Sequence, residues 1–292
     1  MVNMLDRKLL RDLWALRAQV LAVAAVVAAG ITGYVGSLSS YDTLRELQAS
    51  HYERARFAQV FAVGKRAPTG QIDRLLDIPG VTEVEATIRF DVLLDLAGIV
   101  EPLTGRMIAL PEQGLPRMNR LTLVRGAWID APGSNQALVN ETFAAAHGLA
   151  PGSRVGALLN GKRESLLIVG TVTSPEYIFP SRGAFGDERS FGLFWVGRER
   201  LAAAFNMEGA FNSVAVRLEH GASEAAVIAG LDRQLDRYGF TGAHGRADLP
   251  SHRVLTQEIA TWKVYGTTLP VIVLGVAMFL LNVALTRQIG TQ

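Results

Sequence analysis

Residues 20–35 read Val-Leu-Ala-Val-Ala-Ala-Val-Val-Ala-Ala-Gly-Ile-Thr-Gly-Tyr-Val, and no charged side chain stands between Arg17 and Asp42. Those 24 charge-free residues, wound as a helix, reach roughly 36 Å, against a hydrocarbon core of about 30 Å. A second charge-free window lies between Lys263 and Arg287, with Val, Ile, Leu, Met and Phe concentrated from Leu269 to Leu285. A charge at mid-membrane costs roughly 2.5–3.5 kcal/mol, so two such windows predict two transmembrane helices. They also explain a mean hydropathy above zero in a chain of 292 residues with 29 Lys and Arg and 27 Asp and Glu.

Arg7, Lys8, Arg11 and Arg17 precede the first window, and Asp42 and Glu46 follow it. The positive-inside rule places the N-terminus in the cytoplasm. Two spans return Arg287 to the same side, so the roughly 225 residues between them face outward. A cleaved leader is the alternative for the first window; its length, and the lack of a clean Ala-x-Ala site following it, favour a retained span. Ahead of it, Leu5, Leu9, Leu13 and Leu16 recur at helical spacing among Asp6, Lys8, Arg11 and Asp12. This suits an amphipathic helix at the inner interface, or the plain start of the span helix. Gly30, Gly33 and Gly36 offer a close approach to another helix or loosen the span near its outer end. Pro270 predicts a kink or a helix start.

Both spans are expected to continue outward as helices. Tyr41 to Arg56 is polar, with Leu44, Leu47 and Tyr52 at helical offsets, while Ser251 can cap a helix carrying Leu255, Ile259 and Trp262 as an apolar stripe. Between these stalks, Phe57 to Val63 alternates as a strand. Thr69 to Asp77 is a short helix stopped by Pro79-Gly80, and Val81 to Leu96 shows period-two runs. Asn212 to Leu218 alternates again, Ser223 to Tyr238 aligns Val227, Leu231 and Leu235, and a strand follows near Phe240. Strand–helix–strand twice over is the split βαβ pattern of a ferredoxin-like layer. Gly105 to Arg200 then reads as an insertion, β-rich, with Asn160-Gly161 as a hairpin turn.

The fold class expected is therefore an α+β membrane protein: two transmembrane helices flanking a periplasmic ferredoxin-like domain with an inserted β-rich subdomain. Its segments are 1–17 (cytoplasmic amphipathic helix), 18–40 (first span), 41–56 (stalk), and 57–104 with 201–248 (split βαβ domain). The inserted subdomain is 105–200, followed by 249–265 (stalk), 266–286 (second span) and 287–292 (cytoplasmic end).

Chemistry is sparse. Cysteine is absent, which removes disulfides and thiolate sites. His51, His147, His220, His244 and His252 show no i, i+4 pair and no His-Glu-x-x-His pattern, so surface or capping roles are expected rather than metal binding. No Gly-x-Ser-x-Gly elbow occurs, and Gly161-Lys162 lacks the rest of a phosphate loop. A net charge of +2 without a basic cluster argues against nucleic acid. Asp187, Glu188 and Arg189 read as a solvated tip. Tyr177, Phe179, Phe185, Phe191, Phe194 and Trp195 read as core in preference to a partner surface. No catalytic, cofactor-binding or metal-binding residue is assigned, and no enzymatic activity is expected.

Several strings resemble one family in their order. They are Phe57 to Pro68, Ile78-Pro-Gly-Val81, Asn140-Glu-Thr-Phe143, His147-Gly-Leu149, Pro151-Gly-Ser153, Leu281-Asn282 and Thr286 to Gln292. Together they are similar to the ABC-transporter permeases of the MacB, LolC/LolE and FtsX type, over essentially the whole chain. That resemblance implies a cytoplasmic ABC ATPase subunit as partner and a second permease copy or the remaining permease half. It also implies an inner-membrane location, a possible periplasmic partner, and lipoprotein, lipid, peptide or drug substrates. Family permeases carry four or more spans and meet the ATPase largely through the loop after the second one. The resemblance therefore implies that this sequence is a fragment of a longer permease or works with another polypeptide. A two-span sensor or binding module without transport is the alternative.

Overall fold

The computed structural model describes residues 14, 17–96, 98–99, 103–112, 114–131, 133–178 and 189–289. The chain divides into two compact units, one within residues 1–49 and 255–292, the other Ser50–Val254. The expected amphipathic start at Leu5 to Leu13 and Leu16 lies outside the described residues.

Two long helices supply the first unit: α1 (Arg17–Arg54) and the final helix α6 (Pro250–Ile289). Within this unit they run antiparallel, as three pairs show. A Cβ on Gly30 would sit 3.2 Å from Leu274, Lys263 lies over the Tyr41 ring at 5.7 Å, and Gln48 donates to Thr256 at 3.4 Å. Gly30 alone of its triplet is used for the approach; Gly33 and Gly36 face open space. Pro270 sits inside an unbroken α6, so no helix starts there, and Pro250 rather than Ser251 opens the helix. Proline suits a first helical position because its missing N–H would have had no partner. Leu21, Val271, Met278 and Phe279 are 65–72% exposed. Both helices are long and apolar enough to cross a membrane. So much apolar side chain turned outward fits a hydrocarbon surround, where it costs nothing, and not water.

The second unit contains two sheets. Strands β1 (Val60–Pro68), β2 (Val81–Thr87), β10 (Ala210–Leu218) and β11 (His244–Gly245) form the first, in the order β11–β1–β10–β2 with antiparallel neighbours. Helices α2 (Gln71–Leu76) and α5 (Glu224–Leu235) bury Leu75, Val227, Leu231 and Leu235 against Val60, Phe211, Val214 and Val216. Ser223 starts α5 by accepting the Ala226 N–H, and the four-residue spacing of Val227, Leu231 and Leu235 puts all three on one face. At Gly64 the chain crosses so close to Phe240 that an added Cβ would stand 2.7 Å from its Cα. Only glycine fits there.

The other sheet holds β3 (Arg89–Asp95), β4 (Leu103–Leu110), β5 (Thr122–Gly126), β6 (Gln136–Asn140), β7 (Arg154–Leu159), β8 (Lys162–Thr173) and β9 (Phe191–Gly197). Their order is β5–β8–β6–β9–β4–β3–β7, and β7 also pairs with β8, so six strands close into a ring with β5 appended. Pairs β4–β9 and β6–β8 are parallel; the others are antiparallel. Ile88, Met107, Val139, Phe143, Val155, Leu166, Ile168 and Phe194 fill one cluster. Leu138, Val172, Leu193 and Trp195 form another, covered by Leu121, Leu123 and Trp128. Helix α3 (Glu141–Ala146) follows β6, and helix α4 (Arg198–Phe205) follows β9. The β7–β8 hairpin turns at Asn160 and Gly161, both with positive φ of 47° and 84°, as the Asn-Gly signal requires.

Strand β3 falls in the 57–104 segment expected to belong to the split βαβ layer, yet it pairs with β4 and β7 in the second sheet. Likewise Leu201 and Ala202 of α4, at the start of the 201–248 segment, pack in the second sheet's cluster. Alternation identifies a strand but not its neighbour, and the change of sheet takes a single residue, the buried Ile88 between β2 and β3.

Candidate functional site

At the crossing from β2 to β3, the Asn212 side chain from β10 holds the backbone of Arg89. Its Oδ1 accepts the Arg89 N–H and its Nδ2 donates to the Arg89 carbonyl, both at 2.8 Å. The Arg89 guanidinium donates to Glu176 Oε1 at 2.7 Å and to the Tyr177 hydroxyl at 2.9 Å. Glu176 Oε2 in turn accepts from Asn119 Nδ2 at 3.0 Å, and Asn119 Oδ1 accepts the Ala58 N–H at 3.0 Å. Glu176 is placed by a short 3-10 turn, Pro175–Tyr177, which Ser174 starts by accepting the Glu176 N–H.

Arg89 and Glu176 are 10% and 7% exposed, so both sheets, the 118–120 segment and this turn converge on one buried ion pair. Burial works to lower the Arg89 pKa, but Glu176 and Tyr177 outweigh it and the net direction is up. Burial pushes the Tyr177 phenol up, partly opposed by Arg89. The guanidinium, the Glu176 side chain and the phenol thus make one hydrogen-bonded network, in which Arg89 Nε has no partner among the described residues. Beside it, Arg106 grips Asp91 directly across β3–β4, at 2.7 and 3.1 Å. Arg198 ties α4 to the first sheet by donating to the carbonyls of Ala86 and Ala210.

Next to the junction lies a cleft of about 330 Å³. It opens where the parallel strands β6 and β8 end, at Asn140 and Thr173, with Tyr177 and Trp195 in its wall and Arg120 and His51 also lining it. Asn140, 5% exposed, uses Oδ1 to accept the Leu193 N–H at 2.8 Å, which leaves its Nδ2 without a partner among the described residues. Glu141 has Oε1 3.7 Å from Arg125, while its buried Oε2 is also unpartnered. Volumes near 300 Å³ are the small end of ligand sites.

The five histidines are dispersed through the second unit. His51 is exposed and His252 meets the Tyr52 hydroxyl at 3.0 Å. His244 stacks on Phe61, His147 Nε2 lies 2.7 Å from the Arg189 carbonyl, and His220 is exposed. Gly161-Lys162 belongs to the hairpin. Phe191, Phe194 and Trp195 are 0–4% exposed, the core placement expected of them, and Tyr177 joins the junction. Phe179, Phe185, Asp187 and Glu188 lie outside the described residues. Sequence reasoning missed Arg89, Asn119, Glu176 and Asn212, whose partners are 57 to 123 residues away. Ser174-Pro175 was the one local signal, a cap followed by a proline in the first turn.

No curated protein matches the chain. Among solved structures it resembles the extracellular domain of the noncanonic ABC-type transporter YknZ from Gram-positive bacteria. Identity there is 14%, over 63% of this chain and 98% of that one, with a TM-score of 0.42. It also resembles the periplasmic region of MacB from Actinobacillus actinomycetemcomitans, at 11% identity, 72% and 95% coverage and a TM-score of 0.41. A domain of a putative permease protein from Porphyromonas gingivalis aligns at 17% identity, 65% and 88% coverage and a TM-score of 0.37. Residues 18–234 match the model of the MacB-like periplasmic core domain, and this chain belongs to that family.

Proposed function

We propose that the chain works as a permease component of an ABC-type transporter: two spans of the inner membrane carrying an outer domain whose movement is driven by a separate cytoplasmic ATPase. Family membership supports the outer domain, and the exposed apolar length of α1 and α6 supports the spans. In this reading both termini are cytoplasmic, Ser50–Val254 is periplasmic, and a second permease copy or half completes the membrane part. The four-stranded sheet is read as ferredoxin-like, supported by its order β11–β1–β10–β2 with α2 and α5 on one face. The work is mechanical rather than catalytic: helices are stiff, and a displacement at the inner end of α1 or α6 is carried along an axis of 38 or 40 residues. Substrates are lipoproteins, lipids, peptides or drugs.

The single observation carrying this proposal is the pairing of a MacB-like domain with two unbroken helices whose apolar faces are bare. Its test exploits the absence of cysteine. Single-cysteine chains Asn160→Cys and Thr286→Cys are exposed in intact cells to a membrane-impermeant maleimide. Labelling at position 160 and protection at 286 is expected, and the reverse overturns the topology. Recovery of a cytoplasmic ATPase with the native membrane protein tests the coupling.

A further inference from the structure

The last turn of α1 and the first turn of α6 are tied together by a pair of side chains. Tyr52, 6% exposed and near the end of α1, meets His252 Nδ1 through its hydroxyl at 3.0 Å. Their ring centroids are 5.6 Å apart, and Phe57 stands edge-on to Tyr52 at 4.7 Å. Arg246 lies over both Tyr52 and Phe57, at 5.1 and 4.7 Å from their ring centroids. It also donates to the carbonyls of Ala58 at 3.0 Å and Phe57 at 2.6 Å, so its guanidinium is fixed against the ring that His252 touches. A neutral imidazole can accept the phenol's proton through Nδ1, whereas an imidazolium donates there and the phenol must turn its proton away. The larger change is charge: protonating His252 puts a second cation beside the ring that already carries Arg246. Histidine is the side chain that makes this change between about pH 5 and 8.

We propose that Tyr52 and His252 form an acid-sensitive latch between these two helix ends, closed while the imidazole is neutral and loosened when it takes a proton beside Arg246. Burial first and Arg246 second hold the His252 pKa below its ordinary value of about 6.5. The opened form then binds the proton more tightly than the closed one, so the latch is intact above that value and weakens as pH falls through it. The other charged and titratable neighbours do not reverse this sign. On α1, His51 lies 6.2 Å from Tyr52 between ring centroids and is itself held low by burial and Arg54. On the His252 side, Arg253 donates to the Asp248 carbonyl. Glu224 of α5 and Arg217 of β10 act on Arg246, in opposite directions. The latch lies wholly within Ser50–Val254, so it stands or falls without any ATPase.

The test is amide hydrogen exchange, read by mass spectrometry on the full chain in detergent at about pH 7.5 and about pH 5. The native chain is compared at each pH with His252→Gln, which keeps a hydrogen-bonding partner for Tyr52 but cannot take a proton; comparison at one pH cancels the intrinsic exchange rate. Residues 246–256 should exchange about threefold or more faster in the native chain than in the variant at the lower pH, and at nearly equal rates at the higher. Helix α5, Glu224–Leu235, should show no such difference. His51→Gln should leave the native acid response in place. The ratio of exchange in 246–256 to that in α5 within the native chain, corrected for intrinsic rates, gives the same reading without any variant. A native-to-variant ratio that is equal at the two pH values overturns the proposal, as does an acid response abolished by His51→Gln and kept in His252→Gln.

Discussion

Arg89 and Glu176 lie 87 residues apart and meet at 2.7 Å in the interior, where the two sheets of the outer unit join. Such a pair adds little net stability, because desolvating both charges offsets most of their attraction. Removing one partner is a different matter, since the survivor is then a buried, unpaired charge.

Arg89→Met or Glu176→Gln should therefore destabilise the outer unit by roughly 3–5 kcal/mol. Arg89→Met with Glu176→Leu should cost clearly less than the two single changes added together. Denaturant unfolding followed by tryptophan fluorescence measures both, and simple additivity would count against a coupled pair.

A second carboxyl gives a pH-dependent prediction. Burial pushes the Glu85 carboxyl above the usual carboxylate range, partly opposed by the N–H groups of Met118 and Arg117. With the folded value raised, the protonated form is favoured in the fold. That contribution is fully present below about 4.3 and is lost as pH rises through the folded value. Glu85→Gln keeps an acceptor for the Met118 N–H, 2.8 Å away in the native protein, and never ionises. Relative to the native chain it should be more stable at pH 7 than at pH 4. Melting temperatures at the two pH values decide it, and an unchanged difference refutes the assignment.

The hairpin at Asn160-Gly161 predicts a local cost. Gly161→Val forces a β-branched residue to φ near 84° and should destabilise by roughly 1–3 kcal/mol without disturbing the spans. The contrast is Gly70, with ordinary φ of −63° and nothing within 4 Å, where alanine should be tolerated.

Between the two long helices, Gly30→Leu should push Leu274 away, because even a Cβ would stand 3.2 Å from it. Gly33→Leu enters open space and should leave the pairing intact. Cross-linking of cysteines placed at Gln48 and Thr256, whose side chains meet at 3.4 Å, reads this directly, the native chain having none. Loss of cross-link in the first variant and retention in the second is the expected result.

How much of this was legible beforehand follows from range. The spans, the Asn-Gly turn, and the aligned Val227, Leu231 and Leu235 declare themselves within a few residues, because helix period and turn chemistry are local. Strand partners are not local. Val81 to Leu96 alternated throughout, yet its halves serve different sheets, and only tertiary pairing separates Thr87 from Arg89. The junction and the cleft are harder still. Asn140, Glu141 and Glu176 are ordinary polar residues in sequence, and their roles arise from neighbours brought in by β8, β9 and β10.

The double pairing of β7 sets how this protein can meet its own copies. A sheet normally ends in rows of unmet N–H and C=O groups that a neighbouring molecule can zip onto. Here β7 lies between β3 and β8, so the inserted sheet presents such a row chiefly along five-residue β5, which carries Arg125. Crowded at high density in a membrane, this ring of strands therefore offers neighbouring copies little template for strand addition, and the open edges of the unit are β5 here and β2 and β11 in the four-stranded sheet.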